Sequence, residues 1–251
     1  MNVIIKAPHE IDAMRLACQA TARVMNAILP ILKPGMATIA IDRLVRSLLE
    51  EGEDASFWGY YGFPAAVCVS INEEVAHGIP SHRVIRNGDV VSIDVGVRID
   101  GWNGDMARTV IVGKPKLKDT RLVTKTEAAL EAGIRAIKPG ARLGDIGEAI
   151  QMVAQSFGLN VAQGLTGHGI GRKLHEQPPV PNVGVAGTGQ LLIPGMVLAL
   201  EPIFTHGSGE IQTRPDKWTL VTADQQRAAH FEDTIVVTNS GAEVLTWIVQ
   251  D

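Results

Sequence analysis

Residues 87–95 read Asn-Gly-Asp-Val-Val-Ser-Ile-Asp-Val, and residues 193–201 read Ile-Pro-Gly-Met-Val-Leu-Ala-Leu-Glu. Each is a turn leading into an apolar, strand-like run, and each run carries a carboxylate, Asp94 in the first and Glu201 in the second. Gly88 and Gly195 lie 107 positions apart, and so do Asp94 and Glu201. The pattern extends outward. Lys33-Pro34-Gly35 and Lys138-Pro139-Gly140 are 105 positions apart. Ile41, Leu44, Val45 and Leu48 follow the first at helical spacing, and Ile146, Ala149, Ile150 and Val153 follow the second. A helical pattern also precedes each. One runs from Pro8 to Leu32 with Met14, Cys18, Val24 and Ile28 on one face; the other runs from Asp119, as N-cap, to Ile137.

Lys-Pro-Gly alone is a common helix-ending turn. Helix, turn, helix, strand and carboxylate recurring at a nearly constant offset point instead to a duplicated unit. The expected organisation is one domain over residues 1–251, with related halves at about 9–112 and 119–248. The basic segment from Gly113 to Lys118 reads as a solvated linker between them. Two halves about a pseudo-twofold bring Asp94 and Glu201 face to face. Paired helices and strands imply an α+β class with a mostly antiparallel sheet covered on one face.

With 251 residues, 45% hydrophobic and 20% charged, the chain can bury a substantial core and is not disordered. Its net charge of −4 gives no electrostatic reason to bind nucleic acid or an anionic membrane tightly. Cys18 and Cys68 are too few for a disulfide framework and read as free thiols of a reducing compartment. The start lacks the pattern of a secretory signal. The longest uncharged run, Gln177 to Leu200, is broken by Pro178, Pro179, Pro181, Gly184, Gly187, Gly189, Pro194 and Gly195, which excludes a membrane helix. A cytoplasmic location is expected. Only eleven residues are aromatic, five Phe, four Trp and two Tyr, so the core must be aliphatic. Five of the rings, Phe57, Trp58, Tyr60, Tyr61 and Phe63, crowd into seven positions. Gly59 and Gly62 make that stretch a loop.

Asp94 and Asp105 flank a hairpin whose turn falls at Asp100-Gly101. With that pair as a two-residue loop, residue 94 faces residue 107, and 94 and 105 share a face. Like charges on one face repel unless a cation or proton lies between them. Val91, Ile93, Val95 and Val97 argue that the strand is buried. Glu201 closes an apolar run, and Glu232 lies in another, Phe231-Glu-Asp-Thr-Ile-Val-Val237. Four acids thus punctuate hydrophobic strands with few basic residues beside them. Two divalent cations would balance the four charges, and carboxylates with one or two imidazoles suit Mn, Fe, Co or Zn. Gly167-His-Gly-Ile-Gly-Arg-Lys-Leu-His175 supplies His168 and His175. A phosphate loop fails there, because no amphipathic helix follows and prolines 178, 179 and 181 come too soon. His77, in Val75-Ala-His-Gly-Ile-Pro80, is a third candidate, although such a lone histidine is more often structural. His9, His82, His206 and His230 stand in polar surroundings and are assigned no role.

Together, Val67-Cys-Val-Ser-Ile-Asn-Glu-Glu-Val-Ala-His77-Gly-Ile-Pro80, Ser92-Ile-Asp-Val95, Gly104-Asp-Met-Ala-Arg-Thr109, Gly167-His-Gly-Ile-Gly171, Leu200-Glu-Pro202 and Glu232-Asp-Thr-Ile-Val-Val-Thr238 resemble the type I methionine aminopeptidases. The resemblance runs from about residue 5 to 248. It implies a two-metal peptidase of the duplicated pita-bread fold and a single catalytic domain. Asp94, Asp105, His168, Glu201 and Glu232 match the ligands of two divalent ions, of Co, Mn, Fe or Zn. By the same resemblance, Asp105 and Glu232 are shared, Asp94 serves one ion, and His168 and Glu201 serve the other. Glu201 is implied as general base for a metal-activated water, His175 as partner of the developing oxyanion, and His77 as partner of the scissile amide. One ion would also hold the free α-amine.

Tyr60, Phe63, Cys68 and Trp218 match the methionine pocket, where rings and sulfur suit a thioether. The chain departs from the pattern at Phe57, where a cysteine is usual, and at Leu174, where a ring is usual. It departs again at Asp233, where a histidine is usual and where an extra acid would bear on metal preference. The implied partners are nascent polypeptide N-termini with a small second residue, acted on by a monomer; transient ribosome association is a further partner the reading allows. Prolidases and proline aminopeptidases share the ligand set but carry a large extra N-terminal domain. Type II methionine aminopeptidases carry an insertion for which this chain is too short. Non-catalytic relatives lose ligands, and this chain keeps them.

Overall fold

The hairpin forms where the spacing puts it. In the computed structural model, which describes residues 3–247, strand Asp89–Ile99 pairs antiparallel with Trp102–Val112. Ile99 lies opposite Trp102, and Asp94 opposite Ala107. Asp100 and Gly101 both take positive φ, 48° and 78°, the backbone of a tight turn whose twist matches the strands. Residue 248, the expected end of the second half, and residues 1, 2 and 249–251 lie outside the described residues.

The hairpin belongs to a nine-stranded sheet. Its main path runs Glu53–Ala55, Asp89–Ile99, Trp102–Val112, Glu232–Val237, Val197–Leu200, Thr166–Gly169, Glu176–Pro181. Val67–Ile71 adds to Asp89–Ile99, and Ala242–Val244 adds to Glu232–Val237. Every pairing is antiparallel, as expected for the class.

Two pairs of helices pack on the sheet: α1 (Pro8–Ile28) with α2 (Thr38–Leu48), and α3 (Leu117–Ala136) with α4 (Leu143–Ser156). Proline opens α1, and the Glu10 carboxylate accepts from the Ala7 N–H at 2.9 Å, satisfying an otherwise free donor. Met14, Cys18, Val24 and Ile28 are all fully buried. The helix stops at Ile28 rather than Leu32, because Pro30 lacks an N–H and blocks continuation; a short 3-10 turn follows. α3 starts two residues before the expected cap. Lys116 is extended and serves as N-cap, and Asp119 lies fully buried in the first turn, 2.7 Å from the Arg227 guanidinium. Its carboxylate is used in a tertiary ion pair instead of a cap.

α1 covers the hairpin face opposite the carboxylates. A Cβ at Gly104 would stand 2.6 Å from the Cys18 Cα, so only glycine lets the helix backbone come this close. The core is largely aliphatic. The cluster beneath α1 and α2, with Ile28, Ile41, Val45, Ile71 and Ile93, holds no ring among its buried members. The cluster beneath α3 and α4 holds Phe204 and Phe231. A third cluster joins Met14, Cys18, Phe57, Phe63, Trp102 and Leu174. Among the described residues no helix is long and apolar enough to cross a membrane. Gly104→Val is expected to lower stability by about 1–3 kcal/mol through overpacking. An unchanged urea midpoint would contradict the close approach of α1.

Candidate active site

Strand parity gathers the acids. Asp94 lies opposite Ala107, and Ala107 lies opposite Glu232. Asp105 is two residues before Ala107, so its side chain points the same way. Asp233 pairs with Leu200, which brings Glu201 beside Glu232, and His168 pairs with Ala199, two residues before Glu201. All five side chains therefore emerge on the sheet face turned away from α1. Ala107, in their midst, contributes only a methyl group.

The His168 Nε2 stands 3.9 Å from Asp105 Oδ2, 3.8 Å from Glu201 Oε1 and 3.8 Å from Glu232 Oε1. These separations exceed hydrogen bonds and suit donors grouped about a cation. The His168 Nδ1–H donates to the Gly169 carbonyl at 2.9 Å, which leaves the Nε2 lone pair toward the carboxylates. Two donor trios are compact, Asp105–His168–Glu232 and Glu201–His230–Glu232, each with its atoms within 4.8 Å of one another. Asp94 Oδ1, Glu232 Oε1 and His230 Nε2 are buried without a hydrogen-bond partner. Among the described residues no Lys or Arg lines the cavity. Buried oxygens short of donors, beside neutral imidazoles, fit divalent cations.

The titration behaviour follows from the same burial. Burial pushes Asp94 up to about 7, against a hydrogen bond from the Cys68 thiol. Burial and then the charges of Asp94 and Glu201 push Asp105 well up; burial and then Asp94 do the same to Glu201. Glu232 is raised by burial and then by Asp105 and Glu201. Burial, with His175 nearby, drops His168 to about 3.

A cavity of about 160 Å³ opens beside these groups. Phe57, Tyr60, Phe63, Cys68, Leu174 and Trp218 form its apolar lining. Phe57 lies on the bare backbone of Gly96, where a Cβ would come within 3.0 Å of the ring, and the Ser56 N–H donates to the Gly96 carbonyl at 2.9 Å. Cys68 faces Asp94 across the strand pair. Phe63 and Trp218 meet edge to face, ring centres 5.1 Å apart. Tyr60 Oη and His175 Nδ1 are 3.1 Å apart, and the His175 ring lies 4.2 Å from that of His168. His77 takes a left-handed backbone, φ 55°, which costs a non-glycine residue about 1–2 kcal/mol. Its ring lies edge-on to Trp218. The segment with Leu174 and His175 is tied down at both ends. Asn103 Nδ2 donates to the Gly171 carbonyl at 2.9 Å, and buried Glu176 pairs with Lys6 at 2.7 Å.

The cavity thus brings together every residue expected at the site. It also holds two others. Tyr61 forms its outer edge, 85% exposed. His230, read from sequence as a polar-environment residue without a role, is buried and lines the cavity. The signal was its position two residues before Glu232, which puts both on one side of an extended chain. Trp58 leaves the aromatic group: it is exposed and stacks with Arg46 on the outer surface. Asp233 points to the other side of the sheet, where Arg108 and Thr246 each meet its carboxylate at 2.7 Å.

Residues 12–239 match the model of metallopeptidase family M24. Methionine aminopeptidase 1 of Bacillus subtilis (strain 168) is 41% identical over 97% of this chain and 99% of its own. The crystal structure of methionine aminopeptidase from Thermotoga maritima superposes with a TM-score of 0.96, at 42% identity, over 98% of this chain and all of that one. The chain belongs to the methionine aminopeptidases of metallopeptidase family M24. It has their pita-bread fold. A prolidase from Pyrococcus furiosus shares the fold at 22% identity and a TM-score of 0.76, but this chain spans only 66% of it.

The raised carboxyls have a consequence for the metal-free methionine aminopeptidase. A carboxyl raised by folding keeps its proton in the folded chain after the unfolded chain has lost it, so stability falls as pH rises through that interval. The depressed imidazoles act in the opposite sense, but only up to their unfolded value of 6.5. Above 6.5 that difference fades as the imidazoles become neutral in both states, while the Cys18 and Cys68 thiols, raised by burial, act in the same sense as the carboxyls. The metal-free protein is expected to lose thermal stability from pH 6.5 to about 8.5, and divalent cation to restore it. A metal-free unfolding midpoint that climbs with pH over this range would contradict that balance.

Proposed function

We propose that this methionine aminopeptidase removes the N-terminal methionine of its protein substrates with two divalent cations held by Asp94, Asp105, His168, Glu201 and Glu232. The observation that carries the reading is the row of buried Asp94, Asp105 and Glu232 with half-buried Glu201 beside them and, among the described residues, no Lys or Arg lining their cavity. Glu232 belongs to both compact donor trios, which supports two cations sharing it. When bound, such cations polarise a carbonyl and acidify water at neutral pH.

The apolar cavity takes the methionine side chain among rings and the Cys68 sulfur. With the side chain there, the α-amine and the first peptide bond would lie at the carboxylates that line the same cavity. Glu201 keeps more solvent contact than Asp105 or Glu232, and its raised pKa suits a group that accepts and returns a proton. It takes the proton of the attacking water and delivers it to the leaving amine. The Tyr60 hydroxyl, donating to His175 Nδ1, keeps a proton on Nε2 for the carbonyl oxygen as charge develops there. His77, neutral because burial lowers its pKa, serves the scissile amide on the Trp218 side. A small second residue passes there most readily.

We read the working form as a monomer. We also read residues 1–251 as one catalytic domain with halves at about 9–112 and 119–248, and its work as cytoplasmic, on nascent chains. Two free, buried cysteines agree with a reducing compartment.

Glu201→Gln is expected to lower turnover of Met-Ala-Ser by roughly 10²–10⁴. Unchanged turnover would rule out Glu201 as base. Chelation should abolish activity, and add-back of Mn, Fe, Co or Zn should restore it; activity that survives full metal removal would defeat the two-cation reading. Phe57 and Leu174 reshape the pocket without closing it. Met-Ala and norleucine-Ala should therefore outpace Leu-Ala, and faster hydrolysis of Leu-Ala would contradict a methionine pocket.

A further inference from the structure

We propose that His230 is a further ligand of the metal pair, adding a second imidazole on the side of Glu201 and Glu232. The proposal rests on the two-cation reading above and goes beyond its five donors. His230 ends the short strand Ala228–His230, which pairs with Ile203–Thr205 outside the main sheet. Its backbone is held at both polar atoms by one side chain. The His230 N–H donates to the Thr109 hydroxyl at 2.9 Å, and that hydroxyl lies 2.7 Å from the His230 carbonyl. Ser92 Oγ meets the same hydroxyl at 2.8 Å. Two neighbouring strands of the main hairpin therefore set where this imidazole sits.

His230 is 3% exposed, and its Nε2 has no hydrogen-bond partner. That atom stands 3.7 Å from Glu201 Oε2 and 3.6 Å from Glu232 Oε2. A donor hydrogen-bonded to one carboxylate would lie near 2.9 Å from it and farther from the other. Near-equal spacing to carboxylates from two different strands is instead the pattern His168 makes. Two ligands each about 2.1 Å from one ion stand roughly 3–3.5 Å apart at tetrahedral or octahedral angles. The Glu201–His230–Glu232 trio is as compact as the Asp105–His168–Glu232 trio.

A second nitrogen donor shifts the site away from the all-oxygen surroundings that favour Mn and toward Zn and Co. The direct test uses the unmodified protein loaded with Co(II). Its proton NMR spectrum is expected to show two hyperfine-shifted, exchangeable imidazole N–H signals; one signal would overturn the proposal. His230→Gln and His230→Ala, compared with the unmodified chain in competition against a chelator, are expected to bind one of the two metals about 10- to 100-fold more weakly. Zn should lose more than Mn. Unchanged affinity for both metals with reduced kcat would make His230 a positioning residue of Glu201 and refute ligation. If the unmodified protein binds no Co(II), the two-cation reading fails as well. If it binds Co(II) through one imidazole, only the His230 proposal fails.

Discussion

Side chains alternate along an antiparallel strand with a period of two, and the site follows from that alternation. Asp94, Ala107 and Glu232 form one row across three strands, with Asp105 and Glu201 beside it on the same face. A row of buried acids without basic partners is unstable as a set of charges. It must hold protons or cations, and the raised pKa values express that choice for the metal-free chain. The methyl of Ala107 keeps the middle of the row open. A one-residue slip of any of these strands would turn its acid toward the helices.

The opposite face meets that risk with close packing. α1 touches the hairpin backbone at Gly104, which admits no alternative register there. Asp233 and Arg108 neutralise each other on the side of the sheet away from the site. The charge next to Glu232 in sequence is thus separated from the site by the sheet itself. The main hairpin supplies Asp94 and Asp105, and residues far along the chain supply His168, Glu201 and Glu232. Cations shared between these donors would hold those distant segments together, so metal affinity and folding stability are coupled.

Much of this was legible in the chain. The two-residue turn at Asp100-Gly101 set the register of residues 94 and 107 by counting alone, and the structure has that register. Helix faces with Met14, Cys18, Val24 and Ile28 were readable because burial follows the helical period. Local rules failed where a tertiary partner outweighed them. Asp119 looked like an N-cap and became the partner of Arg227. Trp58 shared the ring-rich segment but turned outward to Arg46. Phe204 and Phe231 entered the core, so the scarce rings are divided between core and cavity.

The sequence by itself determined the chemistry of the site: acids placed in apolar strands, histidines among glycines, and rings crowded in one loop. Those are properties of residue type and spacing, and a periodic backbone translates them directly into shared faces. Only the tertiary structure decided which groups converge. His230 stands in a polar-looking stretch, yet Thr109, more than a hundred positions earlier, holds its backbone where the ring meets Glu201 and Glu232. Likewise Lys6 fixes the segment of His175 through Glu176 from the far end of the chain. Such contacts depend on how separate strands and loops pack against one another, and no local period encodes that.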